Sequence, residues 1–440
     1  MQSTGSSALP DERPTMASSK MRASAGGEIA AMSTLIQAAS VSVERFIRWL
    51  NSFGETSYDH QSCFASPLTR RAKALYYRRP LLGTLAVAPM ICCEALLPSA
   101  RRFFWKKERL PIADAHYTMG FAFLAQVLNS DQYYRRAVHF LDVLQSTRCQ
   151  GYEHHCWGYP FDWETRLGTL KAGTPMITTV PYVYEAFRQV YEIDRESKWL
   201  DIMYSIAQHV LEDYHELDGF GRGAGCSYTP LYNEQGGGVV NASAYRACML
   251  TQAAYDLCEE RYQRAAARNL AFVIDAQNVD GSWNYSTDDQ RQFIDHFHTC
   301  FVLKALAKIE RLTGNESCTN ALDRGVEYYV RNLFDGKGHA MPFSRRPRIT
   351  VYRRELYDLA ECINLAVLLR GRYQELDRLL IRVLDLESWQ KPDGSFRSRQ
   401  LLFGWDNVPM HRWGQSQVFR SLCFLLYETQ AGAAGVRRER

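Results

Sequence analysis

The sequence begins without the apolar core of a secretion signal. Its opening segment, MQSTGSSALPDERPTMASSKMRASAGGEIAAMS, is small and polar, and residues 1–35 read as a disordered lead-in. No CxxC pair occurs among the twelve cysteines, which removes the commonest redox and zinc-ribbon patterns. Cys248, Cys300 and Cys423 sit instead on apolar helical stretches, as reduced, buried thiols do, and a cytoplasmic protein is expected. The glycine-rich stretches contain neither GxGxxG nor GxxxxGK[ST], so no nucleotide site is expected. An excess of one charge is also missing. The 52 basic and 48 acidic residues leave a net charge of +4, too balanced for a dedicated nucleic-acid binder.

What the chain does contain is apolar and aromatic material: 46% hydrophobic residues, with 25 Tyr, 21 Phe and 9 Trp. That suits thick helix packing and equally a sugar-stacking cleft. The 440 residues would allow two or three domains. A repeat argues for one.

An Asp-Gly turn recurs at nearly even intervals, as DGF at 218–220, DGSW at 280–283, DGKGH at 335–339 and DGSF at 393–396. Asp-Gly forms turns, and the aromatic after it can plug the next hairpin. Two copies follow a glutamine, in AQNVDGSW and WQKPDGSF. Six apolar helices are predicted, at 116–129, 178–193, 241–257, 295–309, 354–369 and 412–427, and their starts keep the same period as the turns. They are apolar nearly all round, which means burial on both sides. An amphipathic helix follows each of the first five, as in SDQYYRRAVHFLDVLQ at 130–145. Six doubly buried helices inside and an amphipathic ring outside make an all-α (α/α)6 toroid, here over residues 112–432, with a flexible tail at 433–440. Residues 36–111 form an irregular N-terminal helical region. The twelfth helix comes from it, either from VSVERFIRWLNSF at 41–53 or from residues 70–98.

One stretch in that region, LLGTLAVAPMICCEALLPS at 81–99, lies between Arg78-Arg79 and the basic run RRFFWKKERL. Its length approaches a membrane span, but Glu94, Pro89 and Pro98 interrupt it. A soluble hairpin or apolar lead-in ranks first, peripheral membrane contact through 78–110 second, and a span last.

In a toroid the first turns of the inner helices share one rim, so polar groups there are candidates for a site. The rim carries His116, Trp157, Asp162, Trp163, Arg166, Tyr228, Asn241, Tyr245, Asp295, His296, His298, Tyr357, Asp358, His411 and Arg412. Glu361 lies deeper, in a doubly buried helix, and must be paired or functional. Each residue has a plainer reading: an Asp at a helix start is commonly a cap, and Trp157 or Trp163 can simply plug the barrel. The glycines at 221–225 and 236–238 would let backbone approach a ligand.

The DGSW-type turns and the helix period resemble the α/α-toroid proteins, over roughly residues 112–430. That group includes terpenoid cyclases, protein prenyltransferases, polysaccharide lyases, uronyl epimerases and glycosidases. The resemblance is specific for fold and weak for activity. The Asp-x-Asp-Asp acid of a terpenoid cyclase is missing, and Ser286-Thr287-Asp288-Asp289 lacks its first aspartate. Zinc ligands as in prenyltransferases could come from Cys156 with His154 or His155, Cys226, or Asp295, His296, His298 and Cys300. No closed spacing stands out, and no metal or cofactor is expected.

The carbohydrate branch fits best. The toroid is expected to act in making or modifying a cell-surface polysaccharide or glycoconjugate, as a uronate-directed epimerase or lyase. Tyr228, Tyr245, His296 and Glu361 are the expected catalytic groups, with Tyr357 a further acid or base. Arg166 and Asn241 are expected to neutralise the uronate. A glycoside hydrolase using two of Asp162, Asp295, Asp358 and Glu361 is the close rival. A terpenoid cyclase or prenyltransferase-like enzyme follows, and then a non-catalytic toroid binding a glycan or a protein.

Overall fold

The computed structural model describes residues 16–433 apart from 167, 232–237, 290, 348–349 and 384–385. A long helix, α1 (Met16–Phe53), opens it, so the stretch read as disordered is helical from Met16 onward; residues 1–15 lie outside the described residues, as does most of the tail read at 433–440. Four shorter helices follow: α2 (Ser62–Ala65), α3 (Pro67–Arg78), α4 (Pro80–Leu96) and α5 (Arg101–Phe104). Five inner–outer pairs come next: α6 (Pro111–Leu128) with α7 (Asp131–Ser146), α8 (Val180–Asp194) with α9 (Ser197–Glu212), α10 (Val240–Leu257) with α11 (Glu260–Asp275), α12 (His296–Thr313) with α13 (Glu316–Asn332), and α14 (Leu356–Leu368) with α15 (Gln374–Val383). A short α16 (Leu386–Trp389) precedes the last inner helix, α17 (Ser416–Ala433).

The inner helices are apolar on most sides, and nearly every residue of α6, α10 and α14 is buried. Outer helices bury one stripe, as Ala137, Phe140, Leu141 and Leu144 do in α7. Burying a Leu or Phe contributes roughly 1.5–3 kcal/mol, and an inner helix collects that on both flanks. The ring closes where α17 returns to α6. Gly120 makes that approach possible, because a Cβ there would strike the Phe419 ring.

The repeated turn is a latch between neighbouring pairs. In the DGSW copy, Asp280 accepts from Ser282 N (3.0 Å), and Gln277 donates to Gly281 O and to Ala321 O of α13, both at 2.9 Å. In the DGSF copy, Asp393 accepts from Ser395 N (3.0 Å), and Gln390 donates to Gly394 O and to Ser42 O of α1, both at 2.9 Å. Gly281 (φ 89°) presses on the Arg324 carbonyl and Gly394 (φ 96°) on the Arg45 carbonyl. Position for position, α1 therefore does what α13 does. It is the twelfth helix, drawn from the 41–53 segment, and residues 70–98 lie outside the ring.

This equivalence is testable. Gly394→Ala adds both a left-handed-region strain and a collision with Arg45 O, and is expected to destabilise by about 2–4 kcal/mol. Chemical denaturation would measure it. A loss within about 0.5 kcal/mol, the range of an ordinary surface substitution, would mean that α1 is not latched by this turn.

Short antiparallel strands decorate the rim: β1 (Trp163–Thr165) with β2 (Gly168–Leu170), β3 (Glu216–Phe220) with β4 (Gly223–Cys226), β5 (Ile294–Asp295) with β6 (Phe343–Arg345), and β7 (Tyr352–Glu355), β8 (Arg399–Leu401) and β9 (Trp405–Asp406) in one sheet. All twelve cysteines are free thiols, nine of them buried.

Candidate active site at the helix N-termini

Strand β5 ends at Asp295, the N-cap of α12. One carboxylate oxygen accepts from His298 N (2.9 Å) and the other from His298 Nδ1 (2.6 Å). The cap therefore also orients an imidazole. A carboxylate can only accept, so Nδ1 carries a proton, and the neutral ring presents its lone pair at Nε2. The His298 side chain is 21% exposed. It faces a small cleft between the first turns of α10 and α12, lined by Asn241, Tyr285, Phe293 and Thr299. Asn241 is buried, and neither atom of its amide has a hydrogen-bond partner. Tyr285 meets the imidazole edge-on at 4.7 Å, and Phe301 at 5.6 Å.

Asp358, in the first turn of α14, is fully buried and neither oxygen has a partner. Its pKa is carried well above the usual carboxylate range, first by burial and then by the neighbouring Glu355 and Asp295 charges, against which Arg399 acts. It is therefore a carboxylic acid holding its proton. A base with an open lone pair and a neutral acid on adjacent helix starts are the parts proton transfer needs.

Below this rim the barrel axis is charged. Lys304 of α12 pairs with Glu361 of α14, and Lys308 pairs with Glu185 of α8. Arg420 of α17 reaches Glu185 at 3.4 Å, while its Nε and Nη1 have no hydrogen-bond partner. Three cations face two carboxylates, a surplus of positive charge in a buried space. Burial pulls the Lys304 pKa down, with Glu361 opposing. His116 lies against Tyr182, with ring centroids 4.6 Å apart and the planes tilted by 56°, and has no hydrogen-bond partner for either nitrogen. Burial, then Arg420, Lys304 and Lys308, hold it neutral. Tyr182 and Tyr245 share a hydroxyl–hydroxyl bond of 2.8 Å. A cavity between α8, α10 and α12 is lined by Tyr182, Glu185, Tyr245, Phe301, Lys304 and Lys308.

No protein-family model matches the chain, and no curated protein matches it. Solved structures do. Cellobiose 2-epimerase from Bacillus thermoamylovorans B4167 superposes with a TM-score of 0.57 at 11% identity, over 73% of this chain and 88% of that one. D-mannose isomerase does so at 0.53 and 11%, over 73% and 88%. The GH76 α-mannanase BT2949 of Bacteroides thetaiotaomicron does so at 0.55 and 9%, over 81% and 97%. The fold is the α/α toroid of these proteins. At such identities the likeness shows fold alone.

Within the toroid, most of the rim residues expected from the sequence converge. Trp163 lies between Tyr159 (5.7 Å) and Tyr228 (6.3 Å), and Tyr357 stacks on Trp413 at 4.7 Å beside Phe297 at 5.1 Å. With Tyr245 and Phe301, 5.2 Å apart, they give the mouth aromatic walls. Glu361 and His116 lie on the axis beneath.

Four expectations are corrected. His296 is not a base: it is fully buried, donates from Nδ1 to Met341 O (3.2 Å) and accepts at Nε2 from Tyr329 OH (2.7 Å) of the outer helix α13. Burial holds its pKa down to about 3. His411 is likewise enclosed, donating from Nε2 to Gly54 O (3.0 Å) and accepting from Tyr117 OH (2.6 Å). Trp157 is sealed between α7 and α8, its indole bonded to Leu144 O at 2.7 Å. It is the barrel plug of the plainer reading. Arg412 is not a free fork, because Asp59 holds it at 2.6 and 2.8 Å and Tyr159 OH at 2.8 Å.

Asp162 is bound to Arg70 (2.9 Å), Lys171 (3.3 Å) and Ala172 N (3.0 Å), organising the β1–β2 hairpin. Arg166 is exposed at the turn of that hairpin. Gly223 and Gly238 press on Phe272 of α11, which explains their lack of side chains without a ligand; Gly236 and Gly237 lie outside the described residues. Among the described residues no three His, Cys, Asp or Glu side chains converge as metal ligands.

Glu185, Lys304, Lys308 and Arg420 were missed. The signal existed: each is a charge inside a helix apolar on both flanks, the same reasoning that singled out Glu361.

Proposed function

We propose that the protein is a carbohydrate-active enzyme that moves a proton at a sugar carbon, an epimerase or lyase of a uronate-bearing polysaccharide or glycoconjugate. The observation that carries this reading is the Asp295-oriented His298, whose free Nε2 shares the rim with the neutral acid Asp358. His298 takes the C5 proton, which the adjacent carboxyl group makes acidic. Asn241, a buried amide without partners, stabilises the enolate-like oxygen. Asp358 returns a proton to the opposite face of C5 in an epimerase, or to the leaving oxygen in a lyase. The surplus charge of Arg420, Lys304 and Lys308 favours an anionic sugar, and the unpartnered edge of Arg420 suits its carboxylate. Aromatic walls suit the ring faces. Arg420 replaces Arg166 as the group read for uronate recognition.

A hydrolase would need a second free carboxylate. Of the carboxylates read for it, Asp295 already accepts hydrogen bonds on both oxygens from His298, and Asp162 is held by Arg70, Lys171 and Ala172 N, which counts against that reading.

The test is incubation in deuterated water with uronate-containing oligosaccharides and, separately, neutral aldoses. Deuterium at C5, with or without an unsaturated product absorbing near the ultraviolet edge, is the expected result. New reducing ends with neither change would make the protein a hydrolase. Exchange at C2 of a neutral aldose alone would remove the uronate from the reading, and binding without any conversion would remove the enzyme.

A further inference from the structure

Helix α4 is built inside out. Its buried face consists of Gly83, Val87, Met90 and Glu94, while Leu81 (88% exposed), Leu85 (74%) and Leu96 (63%) point outward, together with Leu82 and Ile91. The single carboxylate of the helix is turned in and the leucines out, the reverse of a helix on a water-facing surface. The arrangement is held firmly. Arg101 grips Glu94 with two bonds of 2.6 Å and reaches Asp406 at 2.7 Å, tying the helix to strand β9 of the toroid. Gly83 lets α4 cross α3 closely, since a Cβ there would collide with the Tyr76 backbone. Even Thr84, on the exposed side, satisfies its hydroxyl internally, on Pro80 O at 2.7 Å. Leu68 on α3, and Leu97 and Phe103 beyond α4, extend the outward apolar surface.

The charge around this surface has one sign. Residues 66–107 hold nine basic residues and one acid, Glu94. The chain as a whole nets +4, so everything outside this segment nets −4. Arg71, Arg78, Arg79 and Arg102 are exposed at the two ends of the leucine face. Glu94, the one acid of the segment, is buried and bound to Arg101, while Glu108 and Asp162 just outside it pair with Lys106 and Arg70.

We propose that the α3–α4 hairpin docks on an anionic lipid surface, with α4 lying in the interfacial plane, its leucines among the acyl chains and the flanking arginines on lipid phosphates. Charge complementarity selects this occupant: an apolar face ringed by unneutralised arginines matches a negatively charged leaflet. At 17 residues, α4 is about 25 Å long, and no helix among the described residues is long and apolar enough to cross a membrane. The helix lies along the surface. The same hairpin touches the rim, through Arg70 on Asp162 and the α3 contacts with β1, so docking brings the toroid's mouth beside the headgroups. This inference does not depend on the reaction proposed above.

The test uses the full chain and vesicles of phosphatidylcholine alone or with about a third phosphatidylglycerol. Co-sedimentation with the anionic vesicles, weakened by salt, is expected. The double variant Leu81→Glu/Leu85→Glu, at positions too exposed to affect folding, should lower vesicle affinity by at least about a hundredfold with an unchanged unfolding midpoint. Arg78→Glu/Arg79→Glu should lower it by about fivefold per lost cation on anionic vesicles only. Absence of sedimentation, or sedimentation equal in parent and variants, overturns the proposal. So does a parent dimer that Leu81→Glu/Leu85→Glu converts to monomer without vesicle binding, because the face would then belong to a second copy.

Discussion

His298→Gln and Asp358→Asn are each expected to slow proton transfer by about 10²–10⁴-fold, while moving stability in opposite directions. Glutamine cannot accept a proton at neutral pH, and it also gives up the Nδ1–H bond to Asp295, a loss of about 1 kcal/mol. Asparagine removes the acid but relieves a strain. The Asp358 pKa in the folded chain lies above its unfolded value, so the folded state holds this proton more tightly. The stability tied to that proton is complete below the unfolded pKa of about 3.9, and it drains away as pH rises toward the folded value. Asparagine has nearly the same shape and no proton to lose. Asp358→Asn should therefore match the parent near pH 3 to 4 and exceed it by about 4 kcal/mol at pH 7, the cost of keeping a proton that the unfolded chain has released. Thermal unfolding between pH 4 and 8, together with isotope exchange, checks both halves. An Asp358→Asn protein that is less stable at pH 7, or one that still exchanges, would remove Asp358 from the mechanism.

The pair His296 and His298 shows where the sequence stopped being informative. Two positions along a helix differ by roughly 200° in direction, so the two rings cannot share a face. Nothing in DHFH says which of them looks into the barrel. The structure turns His296 onto Tyr329 of the outer layer and His298 onto the cleft. Only the phase of α12 decides this, and that phase is set by packing over the whole helix. The outer face of α4 had the same problem: Glu94 read as an interruption of an apolar run, whereas its partner Arg101 turns it into an anchor. The architecture was legible because it repeats. Gln277 and Gln390 each bridge their own turn to the neighbouring outer helix, a device that sequence comparison within one chain exposes directly. Asp295 was legible as a cap, a ligand group or a hydrolytic carboxylate, and in the structure it caps the helix and orients the imidazole with the same carboxylate.

The buried pair Lys304–Glu361 carries the other large prediction. Both side chains are at least 90% enclosed, so removing one strands an uncompensated charge in low dielectric. Glu361→Leu is expected to cost about 3–5 kcal/mol, and Lys304→Met a similar amount. The double variant Lys304→Met/Glu361→Leu should cost less than either single change, because the desolvation of both charges disappears together with their attraction. Urea denaturation of the four proteins forms a closed cycle, and a coupling of at least ~2 kcal/mol is expected. Additive costs would mean that water or other groups already satisfy each charge separately. The cycle also separates fold from function. Since the pair is not needed for stability when both members are absent, its retention in the barrel calls for another reason. A Lys304 that can turn from Glu361 to grip an acidic sugar beside Arg420 supplies one. The double variant should then fold and unfold much like the parent, yet bind uronate-containing oligosaccharides more weakly by about tenfold or more, the share of a charge-assisted hydrogen bond.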